Sequence, residues 1–99
     1  MTLVEIIQDI HALDKKLQEY EEKYGLLSED FYELYISGAL RDEKVDEIDE
    51  YGSWAAFYKM RQRRKRKYDE LKEGVLRTLQ ASAEGDRVIL TPHATSVKA

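Results

Sequence analysis

From Leu3 to Tyr24 the apolar residues Leu3, Ile6, Ile10, Leu13, Leu17, Tyr20 and Tyr24 recur at alternating steps of three and four. Only an α-helix brings such positions onto one face, and a stripe this narrow is a heptad seam. Asp9, Asp14, Lys15, Glu19 and Glu22 fall on the other faces. Thr2 and Glu5 stand at the spacing of a capping box, in which each side chain bonds the other residue's backbone N–H. Gly25 is suited to the left-handed residue that ends a helix. The pattern predicts a helix from Leu3 to Tyr24. Its seam must be covered by another helix of the chain, a second copy or a partner.

Two further helices follow. Ser28 is a candidate N-cap, with Glu29 and Asp30 in the first turn where the helix dipole favours acids. Phe31, Leu34 and Tyr35 make one apolar face, and Gly38 ends it. An acidic stretch from Leu40 to Glu50 is part loop and part the first turn of a long third helix, which starts between Asp46 and Asp49. Gly52 and Ser53 weaken that start. Trp54, Ala55, Phe57, Tyr58, Met60, Tyr68, Leu71, Val75 and Leu79 carry the helical period to about Ala81, with a gap from Arg61 to Lys67. Gly85 breaks the helix, Val88–Leu90 is a short apolar run, and Thr91-Pro92 stops it. The fold class expected is all-α: an antiparallel helical hairpin with a short bridging helix over residues 1–83, and a flexible C-terminal tail over 84–99. Tyr20 and Tyr24 belong near the Tyr51–Tyr58 end. The hairpin is expected to be a homodimer, because a domain of 99 residues with thin apolar stripes completes a core poorly alone.

Composition narrows the chemistry. There is no cysteine, so disulfides, thiolate metal sites and cysteine nucleophiles are excluded. The residues Met1 to Asp9 lack the basic lead-in and apolar stretch of a signal peptide, and no run reaches the roughly 20 apolar residues of a membrane span. The cytoplasm is the expected compartment. The acids from Asp42 to Glu50 do not follow the spacing of a calcium loop. His11 lies beside the helical seam, and His93 has no acid or serine at a suggestive spacing. The expectation is therefore no catalytic residue, no metal and no cofactor: the chain is not an enzyme and works by binding.

Charge is divided along the chain. Residues 1–60 hold fifteen acids and six bases, and residues 61–99 hold ten bases and five acids. Six of the seven residues from Arg61 to Lys67 are basic. Arg61, Arg63, Arg64, Lys65, Arg66 and Lys67 suit phosphate contacts that do not read sequence, or solvation of an exposed helix, or pairing with the acidic stretch. No helix-turn-helix signature accompanies them, and protein or solvent is the favoured reading. The aromatic set Tyr32, Tyr35, Tyr51, Trp54, Phe57, Tyr58 and Tyr68 suits a base-stacking platform less well than a core between helices.

Tyr24-Gly25, Ser28-Glu29, Phe31-Tyr32-Glu33, Gly38 followed by Leu40, the acidic stretch, and Trp54-Ala55 with Tyr58 together resemble small prokaryotic proteins of the antitoxin type. The resemblance covers about residues 20–60, and its motifs are structural. It implies a cognate toxin enzyme, often a ribonuclease, as partner. The chain departs from that family's pattern at the basic run, where the long helix is usually acidic. On this reading Asp42, Glu43, Asp46, Glu47, Tyr51 and Trp54 form an acidic, aromatic surface laid over a basic active site, and Val88, Ile89 and Leu90 add as a strand to a partner's sheet edge. The alternatives are a nucleic-acid-binding regulator using residues 61–67, and a structural adaptor.

Overall fold

The structure is a computed structural model that describes residues 1–92. It is all-helical: α1 spans Leu3–Tyr24, α2 Ser28–Ile36 and α3 Val45–Ala81. Among the described residues there is no strand, only a single bridge between Glu84 and Arg87. No described helix is long and apolar enough to cross a membrane.

The chemistry of the helix ends explains their positions. Thr2 and Glu5 form the capping box, with Thr2 N–H donating to Glu5 at 2.7 Å and Glu5 N–H to Thr2 Oγ1 at 3.2 Å. At the other end of α1, Gly25 turns left-handed with φ 68° and its N–H donates to the Glu21 carbonyl at 2.7 Å. Helix α3 starts at Val45, one residue before the expected window. The Glu47 carboxylate accepts the Lys44 N–H at 3.2 Å and also holds Arg41, which fixes the turn early. Gly52 and Ser53 leave the helix unbroken, because Trp54 and Ala55 directly after them are buried.

Ser28 differs from its sequence-based role. Leu27 is the N-cap residue of α2 and supplies no side-chain bond. The carboxylate of Glu21 reaches across from α1 instead and accepts the Ser28 N–H at 2.9 Å and the Ser28 hydroxyl at 2.7 Å. The acid that caps α2 thus belongs to the preceding helix, and Ser28 is freed to point inward. Past Ile36 the chain closes as a Schellman turn: Ala39 N–H donates to Leu34 O, Gly38 N–H to Tyr35 O, and Gly38 sits at φ 78°.

Trp54 is the centre of the core. Its ring stacks on Phe31 at 3.7 Å between centroids, with Tyr20 at 5.4 Å and Tyr24 at 5.5 Å, all nearly parallel. Leu17 and Ala55 complete the cluster, and Ile6 and Leu13 extend burial along α1. The contacts between α1 and α3 run in opposite order along the two helices. Lys23 meets Glu50 at 2.7 Å, Asp14 meets Arg61 at 2.7 Å, and Asp9 meets Arg64 at 3.0 Å. The gap in the apolar stripe of α3 is therefore bridged by charge, where Asp14 and Asp9 of α1 face the basic run.

The two helices differ in reach. The 37 residues of α3 span about 55 Å and the 22 residues of α1 about 33 Å, so the C-terminal turns of α3 project past the start of α1. Leu71, Val75 and Leu76 are exposed there. After α3 the chain reverses at Gly85, φ 65°, where Glu84 and Arg87 exchange backbone hydrogen bonds of 3.0 and 3.1 Å. Val88, Ile89 and Leu90 follow exposed and outside any regular element. His93 and the rest of the expected tail, 93–99, lie outside the described residues.

Candidate partner-binding surfaces

The acidic residues split into two groups. Glu47 is bound by Arg41, with Nη2 at 2.6 Å and Nε at 3.1 Å from its Oε2. That hydrogen bond, with the Lys44 N–H, holds its carboxyl below the usual range. Glu50 accepts from Lys23 and from the Tyr24 hydroxyl. Lys23 first and Tyr24 second keep the Glu50 carboxyl below its ordinary value, and the same bond raises the Tyr24 phenol. Asp42, Glu43 and Asp46 are exposed and make no ion pair among the described residues, and neither does Asp49.

Two of the residues expected on this surface face inward. Trp54 is 1% exposed and cannot meet a partner directly. Tyr51 is half-buried, with its ring 6.0 Å from both Phe31 and Tyr24. The family resemblance implies a surface indole, whereas the helical spacing of the aromatics favours a core between helices, and the register of α3 against α1 and α2 places it in the core. What the surface offers instead is aliphatic: Val45 is 75% exposed and Ile48 50%. These two lie three residues apart on one face of α3, interleaved with Asp46 and Asp49. Their exposure was legible only as an interruption of the acidic run.

The basic run is divided as well. Arg61 and Arg64 are spent on Asp14 and Asp9. Lys65 bonds Asp69 at 2.8 Å, and Lys67 lies 3.9 Å from Glu70. The Lys65 bond, with a second from Lys72, lowers the Asp69 carboxyl. Arg63 and Arg66 are exposed and make no ion pair among the described residues.

A groove of about 410 Å³ lies between α1, α3 and the start of α2, lined in part by Asp14, Glu21, Tyr58 and Arg61. Each of these polar groups already has a partner. Asp14 holds Arg61, Glu21 holds Ser28, and the Tyr58 hydroxyl accepts from Gln62 at 3.1 Å. Burial pushes the Tyr58 phenol up, which keeps it a neutral hydrogen-bonding group. His11 borders a second groove with Ile7, Ile10, Arg61, Lys65 and Tyr68, none of them an acid. Among the described residues no three His, Asp or Glu side chains converge as a metal would require. The arrangement supplies charge and exposed aliphatic surface for macromolecular contact. Comparison with protein-family models, with curated proteins and with solved structures finds no match.

Proposed function

We propose that the chain is a non-catalytic binding protein that engages a basic protein partner at the acidic start of α3, as an antitoxin engages its toxin enzyme. One contrast carries this reading. Asp9, Asp14, Glu47 and Glu50 are each neutralised within the chain, whereas Asp42, Glu43, Asp46 and Asp49 are left unpaired among the described residues around exposed Val45 and Ile48. Unpaired charge beside exposed aliphatic groups is the chemistry of an interface with a basic surface. In this reading the body is an antiparallel hairpin of α1 and α3 bridged by α2, acting in the cytoplasm. The mechanism is occlusion: the acids lie over a cationic active site, and the aliphatic pair excludes water from the contact. Val88–Leu90 adds a second, apolar contact.

Co-expression with the product of the adjacent gene tests it. Rescued growth and co-purification are expected, with both lost when Asp42, Asp46 and Asp49 are changed together to lysine. Absence of rescue and of co-purification by the native chain overturns the proposal and leaves the adaptor reading. Exposed Arg63 and Arg66 favour nucleic acid as a second reading. A gel shift whose affinity falls steeply with salt, and vanishes when both arginines become alanine, would establish it.

A further inference from the structure

Helix α3 has three faces, and this chain covers two of them. Glu50, Phe57, Arg61 and Arg64 meet α1, through Lys23, Tyr20, Asp14 and Asp9. Tyr51 and Tyr58 meet α2, through Phe31 at 6.0 Å and Tyr32 at 5.0 Å. The third face is open: Asp49, Ser53, Ala56, Lys59 and Arg63 are all exposed. It is acidic at one end, small in the middle and basic at the other.

We propose that this open face binds the same face of a second copy, antiparallel, about a two-fold axis at Ala56. The charge order is self-complementary about that point. Asp49 and Arg63 lie seven residues, close to two full turns, to either side of Ala56 and so on its own stripe. In a two-fold pairing Asp49 of each copy therefore meets Arg63 of the other, and the pair occurs twice. Neither Asp49 nor Arg63 has an ion pair among the described residues, while the neighbouring Arg61 and Arg64 are already neutralised.

The middle of the face fits close approach. Gly52 and Met60 lie four residues to either side of Ala56, so Met60 of one copy faces Gly52 of the other. A Cβ added at Gly52 would meet nothing within 4 Å, and glycine inside a helix is less favourable than alanine. Nothing in the chain's own packing requires that glycine, whereas a methionine side chain from a second copy would use the space. With Ala56 and Ser53 beside it, the two helices can approach toward the short end of the usual 8–10 Å range. The face shares Asp49 with the surface proposed for a basic partner. The two occupants exclude each other, and the self-association does not rest on the partner reading.

Sedimentation of the purified full-length chain, with no partner present, decides the matter. The expected result is a monomer–dimer equilibrium that weakens as salt is raised. Asp49→Lys alone and Arg63→Glu alone each weaken it about tenfold or more, since each places like charges opposite one another twice. The combined Asp49→Lys/Arg63→Glu protein recovers most of the lost affinity. These side chains are exposed, and unchanged helicity by circular dichroism confirms that the variants fold. Ala56→Cys, the only thiol in the chain, is expected to oxidise to a covalent dimer. A chain that stays monomeric at every concentration overturns the proposal. So does a dimer that ignores both charge reversals and dissociates with Val75→Glu, which would assign pairing to the projecting end of α3.

Discussion

The Trp54 indole N–H donates to Ser28 Oγ at 2.8 Å, and the same hydroxyl donates to Glu21 at 2.7 Å. One serine therefore joins the three helices, as acceptor from α3, as first residue of α2 and as donor to α1. Ser28 is 2% exposed and Trp54 1%, so neither group can turn to water. No buried side-chain N or O atom is left unpartnered among the described residues, and this relay is why the indole can be placed in the core at all.

Ser28→Ala removes the acceptor of one buried group and the donor to another. The Trp54 N–H is left unsatisfied, which costs about 1–3 kcal/mol. Glu21 keeps the Ser28 backbone N–H, so the cap of α2 survives. Chemical denaturation should show a lower midpoint with unchanged slope, and tryptophan fluorescence in the native state should shift. Trp54→Phe, which removes the donor as well, should be less damaging than its lost volume suggests when combined with Ser28→Ala. A Ser28→Ala protein as stable as the native chain would refute the relay.

The basic run divides into structural and available members. Arg61→Ala and Arg64→Ala remove cross-helix pairs that are partly exposed, each worth about 0–1 kcal/mol, and they leave Asp14 and Asp9 unpaired on α1. Arg63→Ala and Arg66→Ala touch no partner in the chain. Thermal melts should therefore fall modestly for the first pair of substitutions and stay level for the second. Self-association should weaken with Arg63→Ala, and nucleic-acid binding with either exposed arginine replaced, while Arg61→Ala and Arg64→Ala change both little. Equal effects of all four substitutions on melting would remove the distinction.

The heptad stripe told nearly everything about α1, because a cap, a period and a terminal glycine all agreed there. Helix α3 was legible in extent and less so in orientation. Spacing puts Trp54 in a core between helices and the family resemblance puts it on a partner surface, and only the positions of α1 and α2 decide between them. Ser28 shows the same limit. Its identity and the acids after it suit an N-cap, yet a glutamate seven residues earlier takes that role through a contact no local spacing reports. The basic run was legible as a charge cluster, but its division into paired and unpaired arginines depends on Asp9 and Asp14 from a distant part of the chain.

Removing residues 84–99 should leave the helical body intact. Among the described residues of that segment, Val88, Ile89 and Leu90 are 44%, 55% and 76% exposed, and the turn at Gly85 is bonded only within itself through Glu84 and Arg87. Burial of this kind adds little to the core. The melting temperature of a chain ending at Ala83 should match the full chain, and its affinity for a partner should drop if the segment is an apolar contact. A large loss of melting temperature in the isolated protein would place the segment in the core.

Glu50 makes stability depend on pH at both ends of the scale. Its carboxyl is held below the unfolded value of 4.5 by Lys23 and Tyr24. A group with a lowered folded pKa stabilises fully above its unfolded pKa and loses that contribution as pH falls through the folded one. Glu5, Glu47 and Asp69 are shifted the same way, so the melting temperature should decline below about pH 4.5. The Tyr24 phenol is raised above 10.0 by its bond to Glu50, and Lys23 above 10.5 by the same carboxylate. Their contribution is complete below those values and is lost as pH rises through the raised ones. Glu50→Gln removes the charge that produces all three shifts. Melting curves of the variant across acid and alkaline pH should therefore be flatter than those of the native chain at both ends. Lys23 and Tyr24 are exposed to solvent and Glu50 partly so, and the flattening should therefore shrink when the titration is repeated at high salt. A variant that keeps the native profile on both sides would show that the Lys23–Glu50–Tyr24 cluster does not form in solution.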